Sequence, residues 1–383
     1  MPRCSVALLV NFVPPYRVAL LRALEREVRR LTVLVSTGME TDRPWEVQTA
    51  GLDVRRTRSI ALPYRRRHPD GFSEDLTIHV QYDLLPRLAC LAPDVVISGE
   101  FGLRSLQAGL YRRLSPLFGR RTRLLVWATV SEQTERGRGR LRGMLRRLIA
   151  RLADGAVTNG ASGARYLESI GFAPDRIFPI HQSTDLDRFE NLPKTKPDPA
   201  GRLRLVSVGS LIPRKGLPPF LDRLKVWCNA HPERKLHWRL VGDGAERASL
   251  ESADLPPNLN LELLGNRPYE EIPDLLADRD LFVFPTLADE WGLVVNEAMA
   301  AGLPVLASRH SQAAEEMIGE GENGWLFDPL DPAATDAALS RALGTTAEER
   351  ARMAAKARHT ADWFSHANTL RRMSGAIDAV WDR

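Results

Sequence analysis

Short apolar runs alternate with amphipathic stretches along most of the chain, and this pattern is typical of parallel α/β sheets. In the first half, runs of Val, Leu and Ile predict strands, and apolar residues three and four positions apart predict helices. The predicted strands cover residues 5–10, 32–36, 94–98, 124–128, 155–158 and 176–180. The predicted helices cover residues 16–28, 103–113, 140–152 and 161–170.

The pattern stops at residues 191–201, NLPKTKPDPAG, where three prolines and no apolar period predict a linker. It then restarts with predicted strands at residues 203–208, 238–241, 259–264, 281–284 and 304–307. We therefore expect two doubly wound, Rossmann-like parallel-sheet domains, with a ligand site in a cleft facing the carboxyl ends of the strands. The predicted division is domain 1–190, linker 191–201, domain 202–360, and a C-terminal helix within 361–383 that packs back toward the first domain.

A candidate diphosphate-binding loop follows the first strand of the second domain. The segment LVSVGSLIPRKG places Gly209, Ser210, Arg214 and Lys215 between this strand and the next helix. Glycines allow close backbone approach, helix N–H groups point outward, and cations supply charge, which together suit a diphosphate. The spacing is not that of a P-loop, and a solvated loop carrying two cations remains the alternative.

A second candidate covers residues 285–305, PTLADEWGLVVNEAMAAGLPV, where an acidic turn follows a strand and precedes an apolar helix. Glu297 lies early in that helix among Val, Ala and Met, where a buried carboxylate needs a partner. A ribose or sugar hydroxyl would be such a partner. The alternative is a carboxylate that only complements the helix dipole.

These two motifs, in this order after this linker, resemble the retaining GT-B glycosyltransferases of family 4 (glycosyl transferases group 1). The likeness covers most of the chain. The family marks its donor site with two glutamates separated by seven residues, and the matching positions here are Asp289 and Glu297. Its usual Arg after the strand glycine is Ser210, and its diphosphate-binding Lys matches Lys215.

The resemblance implies roles for these residues. Lys215 would stabilise charge on the leaving diphosphate, Asp289 would orient sugar hydroxyls, and Glu297 would hold the ribose. Trp291 is assigned to the donor site, although a packing role is equally open. The full implied donor-binding set is Gly209, Ser210, Arg214, Lys215, Gly242, Gly265, Arg267, Asp289, Glu290, Trp291, Gly292, Leu293, Val294 and Glu297.

In the first domain, the loop after the first strand would face the acceptor, which assigns acceptor binding to Pro15, Tyr16 and Arg17. Glu100 and Glu132 follow later strands and are candidate catalytic residues, with solvated loop carboxylates as the alternative. Some family members have a His near the position of Ala128, and this chain has none there. Either Thr129, Ser131 and Glu132 substitute, or the acceptor is positioned differently.

Charge divides the chain unevenly. Residues 1–200 carry 32 Lys and Arg against 21 Asp and Glu, and residues 104–151 contain 13 Arg with only Glu132 and Glu135. On a helix over residues 140–152, six apolar residues form one stripe flanked by Arg. Such a face could contact an anionic membrane surface, but a soluble α/β protein also needs an apolar stripe for packing, and both interpretations stay open.

The combined prediction is a retaining glycosyltransferase that moves a hexosyl or N-acetylhexosaminyl group from a nucleotide-diphosphate sugar to a glycan or lipid-linked acceptor. UDP-sugar and bacterial surface polysaccharide assembly are what the resemblance favours. The alternatives are other GT-B chemistry, such as an epimerase or an inverting transferase, and a degenerate membrane-associated subunit. We expect no cofactor, no metal and no nucleic-acid partner.

Two features of the sequence concern the location of the protein. The chain has three scattered cysteines, and it lacks a run of about 20 uncharged apolar residues. They favour a cytoplasmic protein without a membrane span. A peripheral position on the inner face of the membrane is left open.

Overall fold

The computed structural model of the protein describes residues 4–38, 49, 51–189, 192 and 198–383. The chain forms two compact units. Unit 1 comprises Met1–Ser183 and His366–Arg383, and unit 2 comprises Thr184–Ser365. The predicted linker, residues 191–201, lies largely outside the described residues.

Unit 1 is built on a parallel seven-stranded sheet in the order β3-β2-β1-β6-β7-β8-β9, accompanied by an antiparallel hairpin of β4 and β5. The strands are β1 (Ser5–Val10), β2 (Arg30–Val35), β3 (Asp53–Arg56), β4 (Ser59–Arg67), β5 (Ser73–Gln81), β6 (Val95–Gly99), β7 (Arg123–Ala128), β8 (Gly155–Thr158) and β9 (Ile177–Pro179). Its helices up to residue 183 are α1 (Pro15–Glu27), α2 (Leu84–Leu91), α3 (Leu103–Leu114), α4 (Arg140–Leu152) and α5 (Ala161–Ser169).

Unit 2 is built on a parallel six-stranded sheet in the order β12-β11-β10-β13-β14-β15. The strands are β10 (Leu203–Val208), β11 (Leu236–Val241), β12 (Leu259–Leu263), β13 (Leu281–Phe284), β14 (Val305–Ser308) and β15 (Gly324–Phe327). The helices are α6 (Leu217–Ala230), α7 (Arg247–Glu251), α8 (Ile272–Ala277), α9 (Leu293–Ala300), α10 (Gln312–Met317), α11 (Pro332–Gly344) and α12 (Ala347–Trp363).

The last helix, α13 (His366–Trp381), belongs to unit 1. Its apolar residues Met373, Ile377 and Val380 are buried in a core cluster with side chains of α1, β1 and β7. The chain therefore returns to unit 1 at residue 366, five residues later than the start of the predicted terminal segment, because α12 continues to Trp363 as part of unit 2.

Each sheet carries an apolar core on both faces, as doubly wound sheets require. In unit 1, one cluster contains Leu8 and Val33, and the other contains Leu9 and Val126. This arrangement confirms the predicted two-domain α/β fold. Among the described residues, no helix is long and apolar enough to cross a membrane.

The sequence pattern missed β3, the β4–β5 hairpin, α2 and β15. In the hairpin, Ile60 and Leu62 are exposed apolar residues, so the strands lack the buried face that makes alternation visible in a sequence. Strand β15 (Gly324–Phe327) begins at the last residue of the glycine-rich segment GEGENG, whose composition favours a loop.

Candidate functional site

The predicted donor-site residues of unit 2 follow the carboxyl ends of neighbouring strands. Gly209 and Ser210 follow β10, Gly242 follows β11, Gly265 follows β12, and the acidic turn follows β13. The strand order reverses between β10 and β13, and ligands of open α/β sheets bind at such a switch point. The fold thus brings the two sequence motifs to the place where a doubly wound domain binds its ligand.

The two motifs are in direct contact there. Lys215 Nζ lies 2.6 Å from Asp289 Oδ2, although the residues are 74 positions apart. The loops that carry them are also joined through the backbone, because Leu287 N–H donates to the Arg214 carbonyl oxygen at 2.8 Å. Lys215 Nζ also lies 4.8 Å from the centroid of the Phe284 ring. The lysine is therefore held by a carboxylate on one side and an aromatic face on the other.

A second cation supports the same carboxylate. Arg214 Nη1 lies 3.6 Å from Asp289 Oδ2 and donates to the Ala288 carbonyl oxygen at 3.0 Å. Burial by itself would raise the pKa of Asp289, but the charges of Lys215 and Arg214 hold that pKa below its ordinary value. Burial also lowers the pKa of Lys215, which the charge of Asp289 partly offsets. The three side chains form a charged cluster with two cations and one carboxylate.

Glu297 has a different environment. It is the fifth residue of α9 and is only 6% exposed. Burial raises the pKa of Glu297 to about 7, and a hydrogen bond from the Tyr269 hydroxyl at 3.0 Å lowers it only in part. The described residues give this carboxylate a single hydrogen-bond donor, the Tyr269 hydroxyl, and it has room to accept more. It could accept from hydroxyl groups of a ligand.

Glycines bring these loops close together. Gly242 has φ +140°, and a Cβ atom there would lie 2.0 Å from the Gly209 carbonyl oxygen. Gly292, the N-cap of α9, has φ +102°, and a Cβ atom there would lie 2.7 Å from Phe284 Cε1. The first turn of α9 then offers the N–H groups of Leu293 and Val294, which have no intrahelical acceptor. These amides can bind an anion together with Lys215.

Other predicted donor residues differ in their surroundings. The Trp291 side chain is 1% exposed, donates through Nε1 to Asn296 Oδ1 at 2.8 Å, and packs in the core near Phe364. This burial supports the packing alternative for the Trp291 side chain. Ser210 and Arg267 are exposed, and Arg267 lies 3.8 Å from Glu271. Glu290 lies 4.0 Å from Arg214 at the rim of the charged cluster.

Tyr269 is a site residue that the sequence interpretation missed. Its hydroxyl lies between Glu297 Oε1 at 3.0 Å and Thr184 Oγ1 at 3.2 Å. Burial, followed by the charge of Glu297, raises the pKa of Tyr269, so the phenol stays protonated and can donate. The residue follows the loop after β12, and a tyrosine in a loop gives no signal that it will reach a carboxylate on α9.

In unit 1, Glu100 directly follows β6 and Thr129 directly follows the neighbouring β7. Glu100 adopts a left-handed backbone conformation, φ +63°, which is rare outside glycine. Its carboxylate accepts hydrogen bonds from the Thr129 N–H group at 3.1 Å and from the Thr129 hydroxyl. An exposed carboxylate held on strained backbone at a strand end is a feature that often accompanies function.

Glu132 is not brought to Glu100. It accepts from Arg165 Nε at 2.7 Å, and its backbone N–H donates to Ser162 Oγ at 3.0 Å, so its contacts are with α5. Ser131 closes a local turn with Thr134. Of the polar residues predicted to substitute for the missing histidine, Thr129 is the one that contacts Glu100.

The predicted acceptor residues lie at the start of α1. Pro15 is its first residue, and Tyr16 and Arg17 follow in the first turn. The Arg17 guanidinium lies 4.5 Å from the centroid of the Trp127 ring, at the carboxyl end of β7. A cation held on an aromatic face keeps its N–H groups available for an anionic or hydroxylated ligand.

Parts of the chain match a protein family and curated proteins. Residues 188–360, which make up most of unit 2, match the family model for glycosyl transferases group 1. A putative colanic acid biosynthesis glycosyltransferase, WcaL of Salmonella typhimurium, is 28% identical over 45% of this chain and 44% of its own length. The amylovoran biosynthesis glycosyltransferase AmsK of Erwinia amylovora is 32% identical over 36% of this chain and 35% of its own length. The chain thus spans less than half the length of these two relatives.

Solved structures are similar over nearly the whole chain. The lipopolysaccharide outer core galactosyltransferase WaaB has a TM-score of 0.72 at 13% identity, covering 97% of this chain and 99% of that one. Anabaena HepE in complex with UDP has a TM-score of 0.69 at 17% identity, covering 98% and 99%. These likenesses establish the GT-B fold.

Proposed function

We propose that this protein is a retaining glycosyltransferase of family 4 that uses a nucleotide-diphosphate sugar as donor. The observation that carries the proposal is the charged cluster at the switch point of unit 2, where Lys215 and Asp289 meet 2.6 Å apart beside the open amides of α9. A diphosphate fits two cations and a helix N-terminus. The family match over residues 188–360 supports the same interpretation.

In the proposed donor complex, Lys215, Arg214 and the Leu293 and Val294 amides bind the diphosphate. Asp289 orients hydroxyl groups of the sugar, and Glu297 accepts hydrogen bonds from the ribose. Positioning and charge stabilisation of this kind can account for much of the rate of a group transfer. The distinct environments of the two carboxylates support their distinct roles.

The proposed reaction retains the configuration at the anomeric carbon. The bond between that carbon and the diphosphate oxygen breaks, and the acceptor oxygen forms a new bond on the same face of the sugar. The acceptor proton passes to a phosphate oxygen of the departing nucleoside diphosphate, and Lys215 and Arg214 stabilise the charge that develops there. This scheme requires no protein nucleophile.

We assign the acceptor to unit 1, with Glu100, Thr129 and Arg17 as its candidate contacts. The acceptor class is a glycan or a lipid-linked sugar in polysaccharide assembly, which is supported by the similarity to the colanic acid and amylovoran biosynthesis glycosyltransferases WcaL and AmsK. The donor nucleotide is proposed to be UDP, the ligand of the similar HepE structure. The nucleotide sugar is a substrate, and the proposal includes no further cofactor.

A thermal-shift panel of UDP-, GDP-, ADP- and dTDP-sugars tests the donor. A ligand at 100 times its Kd stabilises the folded state by about 2.7 kcal/mol. We expect a stabilisation of this size only from nucleotide sugars that carry one of the four nucleotides. NMR of the product anomer then tests retention. An inverted product indicates a different GT-B chemistry, and donor binding without turnover over an acceptor panel indicates a degenerate subunit.

A further inference from the structure

Apolar residues on the outward side of α4 are exposed and do not pack in the core of unit 1. Leu141, Met144 and Leu148 are 80%, 64% and 45% exposed, and their spacing places them on one side of the helix. The core is formed by the opposite side, where Ile149 is fully buried. The apolar stripe predicted from the sequence is therefore wider than packing requires.

The neighbouring helix α3 extends this surface. The two helices pack together on one face of the sheet, and a Cβ atom at Gly109 of α3 would lie 2.9 Å from Leu152 of α4. Residues of either helix that point away from the sheet therefore face the same side. On α3, Leu110 and Leu114 are 44% and 39% exposed. We call this combined surface, defined by Leu110, Leu114, Leu141, Met144 and Leu148, the outer helical face.

The β4–β5 hairpin contacts α4 and adds exposed apolar residues of its own. The strands pair with Leu62 opposite Ile78 and Tyr64 opposite Leu76, so these side chains share one side of the hairpin. On that side, the Arg142 guanidinium of α4 lies 4.7 Å from the centroid of the Tyr64 ring. Leu62 and Ile78 are 49% and 38% exposed. The apolar side of the hairpin is therefore the side that contacts α4.

The charged residues around the outer helical face are arginines. Arg113, Arg140, Arg147 and Arg151 are exposed and have no ion pair with any residue that the structure describes. The acidic residues of the same region are already neutralised, because Glu132 pairs with Arg165, and Glu135 is buried against Arg146 and Arg138. The surface thus combines protruding apolar side chains with uncompensated positive charge.

We infer that the outer helical face docks unit 1 on an anionic lipid bilayer. Leucine and methionine side chains protruding from a helix, with arginines beside them, suit the boundary between acyl chains and anionic headgroups. A nucleic-acid backbone would use the arginines but would leave the central leucines exposed to water. This inference does not depend on the proposed transfer reaction, although docking would bring unit 1 close to a lipid-linked acceptor.

Sedimentation of the full chain with vesicles tests the docking surface directly. The vesicles are phosphatidylcholine alone and phosphatidylcholine mixed with phosphatidylglycerol, each at low and high salt. We expect binding to the anionic vesicles at low salt and much weaker binding in the other conditions. Equal recovery in the supernatant with both vesicle types at low salt would overturn the proposal.

Two variants separate the apolar and electrostatic contributions. Replacing Arg140, Arg147 and Arg151 with Gln is expected to lower the partition coefficient for anionic vesicles about a hundredfold. Replacing Leu141, Met144 and Leu148 with Gln is expected to lower it by about the same factor or more. The circular dichroism melting curve should not change for either variant, because the six side chains are on the surface.

The control variant carries Val226→Gln and Leu330→Gln on unit 2, where the side chains are 52% and 47% exposed. It should bind anionic vesicles as the natural chain does. An equal loss of binding in this control would contradict the assignment to the outer helical face. Two further results would contradict the proposal if the chain does not bind vesicles. One is binding of an oligonucleotide that depends on these arginines, and the other is self-association, measured by light scattering, that depends on these leucines.

Discussion

Asp289 and Glu297 lie eight positions apart in one loop–helix segment and are equally buried, yet their pKa values are shifted in opposite directions. The Asp289 pKa is held below its ordinary value because Lys215 and Arg214 outweigh the effect of burial. The Glu297 pKa is raised to about 7, because burial acts on it with only a neutral phenol as donor. The partners that the fold supplies, rather than depth of burial, determine which carboxylate stays ionised.

This difference supports two roles within one site. An ionised Asp289 keeps Lys215 protonated and in place, which suits the diphosphate and sugar end of a donor. A Glu297 that titrates near neutral pH can become ionised when hydroxyl groups donate to it, which suits the ribose end. Each of the following predictions tests one side of this comparison.

The largest effect is expected for Lys215→Ala. Removing a preorganised charge donor from a buried site costs about 2.7–4 kcal/mol of barrier, a hundredfold or more in transfer rate. The measurement is kcat and kcat/KM with the donor varied. Lys225→Ala is the matched control, because Lys225 pairs with Asp222 on α6 at 3.8 Å and should leave the rate unchanged. Unchanged turnover in Lys215→Ala would remove this residue from the site.

Glu297→Gln should alter the pH dependence of stability. Between pH 4.5 and about 7, the folded chain keeps a proton on Glu297 that the unfolded chain has lost, so this carboxyl makes stability fall as pH rises. The loss is on the order of 3 kcal/mol, complete above the folded pKa. Urea unfolding at pH 5 and pH 8 should therefore show a smaller difference in the variant. An identical pH dependence in both chains would show that Glu297 is not a raised-pKa carboxyl.

Asp289→Asn should move the alkaline limit of activity. The charge of Asp289 raises the pKa of Lys215 against the effect of burial, and without it that pKa falls further below its ordinary value. We expect the rate of transfer to decline at a lower pH than in the natural chain. Glu290→Gln is the control, since Glu290 lies at the rim of the charged cluster and its charge raises the pKa of Lys215 less than the charge of Asp289 does. Equal shifts in the two variants would contradict the special role of Asp289.

The smallest effect is expected for Tyr269→Phe. Loss of the hydroxyl removes the hydrogen bond that lowers the Glu297 pKa, at a cost of about 1 kcal/mol. Nucleotide affinity should fall severalfold, and the pH at which binding is half-maximal should rise. Titration calorimetry across pH 6–8 measures both. Tyr82→Phe, at a tyrosine 61% exposed in unit 1, should change neither. A lower midpoint in Tyr269→Phe would reverse the assigned direction.

The alternation of apolar runs predicted most of the buried parallel strands, because a strand covered on both faces must be continuously apolar. The same reasoning missed the β4–β5 hairpin, whose Leu62 and Ile78 are exposed. Glycine and lysine spacing after β10 placed Lys215 in a loop at a strand end. The spacing could not show that this lysine contacts Asp289. The two residues lie in the loops after β10 and β13, and these strands become neighbours only in the folded sheet.

Side-chain roles in unit 1 were harder to predict. Glu100 and Glu132 both follow strands and have the same chemistry, yet Glu132 pairs with Arg165 on α5. The left-handed backbone of Glu100 has no signature in a residue that is not glycine. Tyr269 was missed for a related reason, since its role comes from a contact with Thr184 and Glu297 across 85 and 28 positions.

Proton release on nucleotide binding tests the central claim most directly. The ligand is the nucleoside diphosphate of the sugar that gives the largest thermal shift, titrated at pH 7 by calorimetry in buffers of different ionisation enthalpy. If ribose hydroxyls ionise Glu297, the natural chain should release about half a proton more than Glu297→Gln, because the group is half protonated at that pH. Equal proton release by the two chains, with comparable affinity, would contradict the assignment of Glu297 to the ribose.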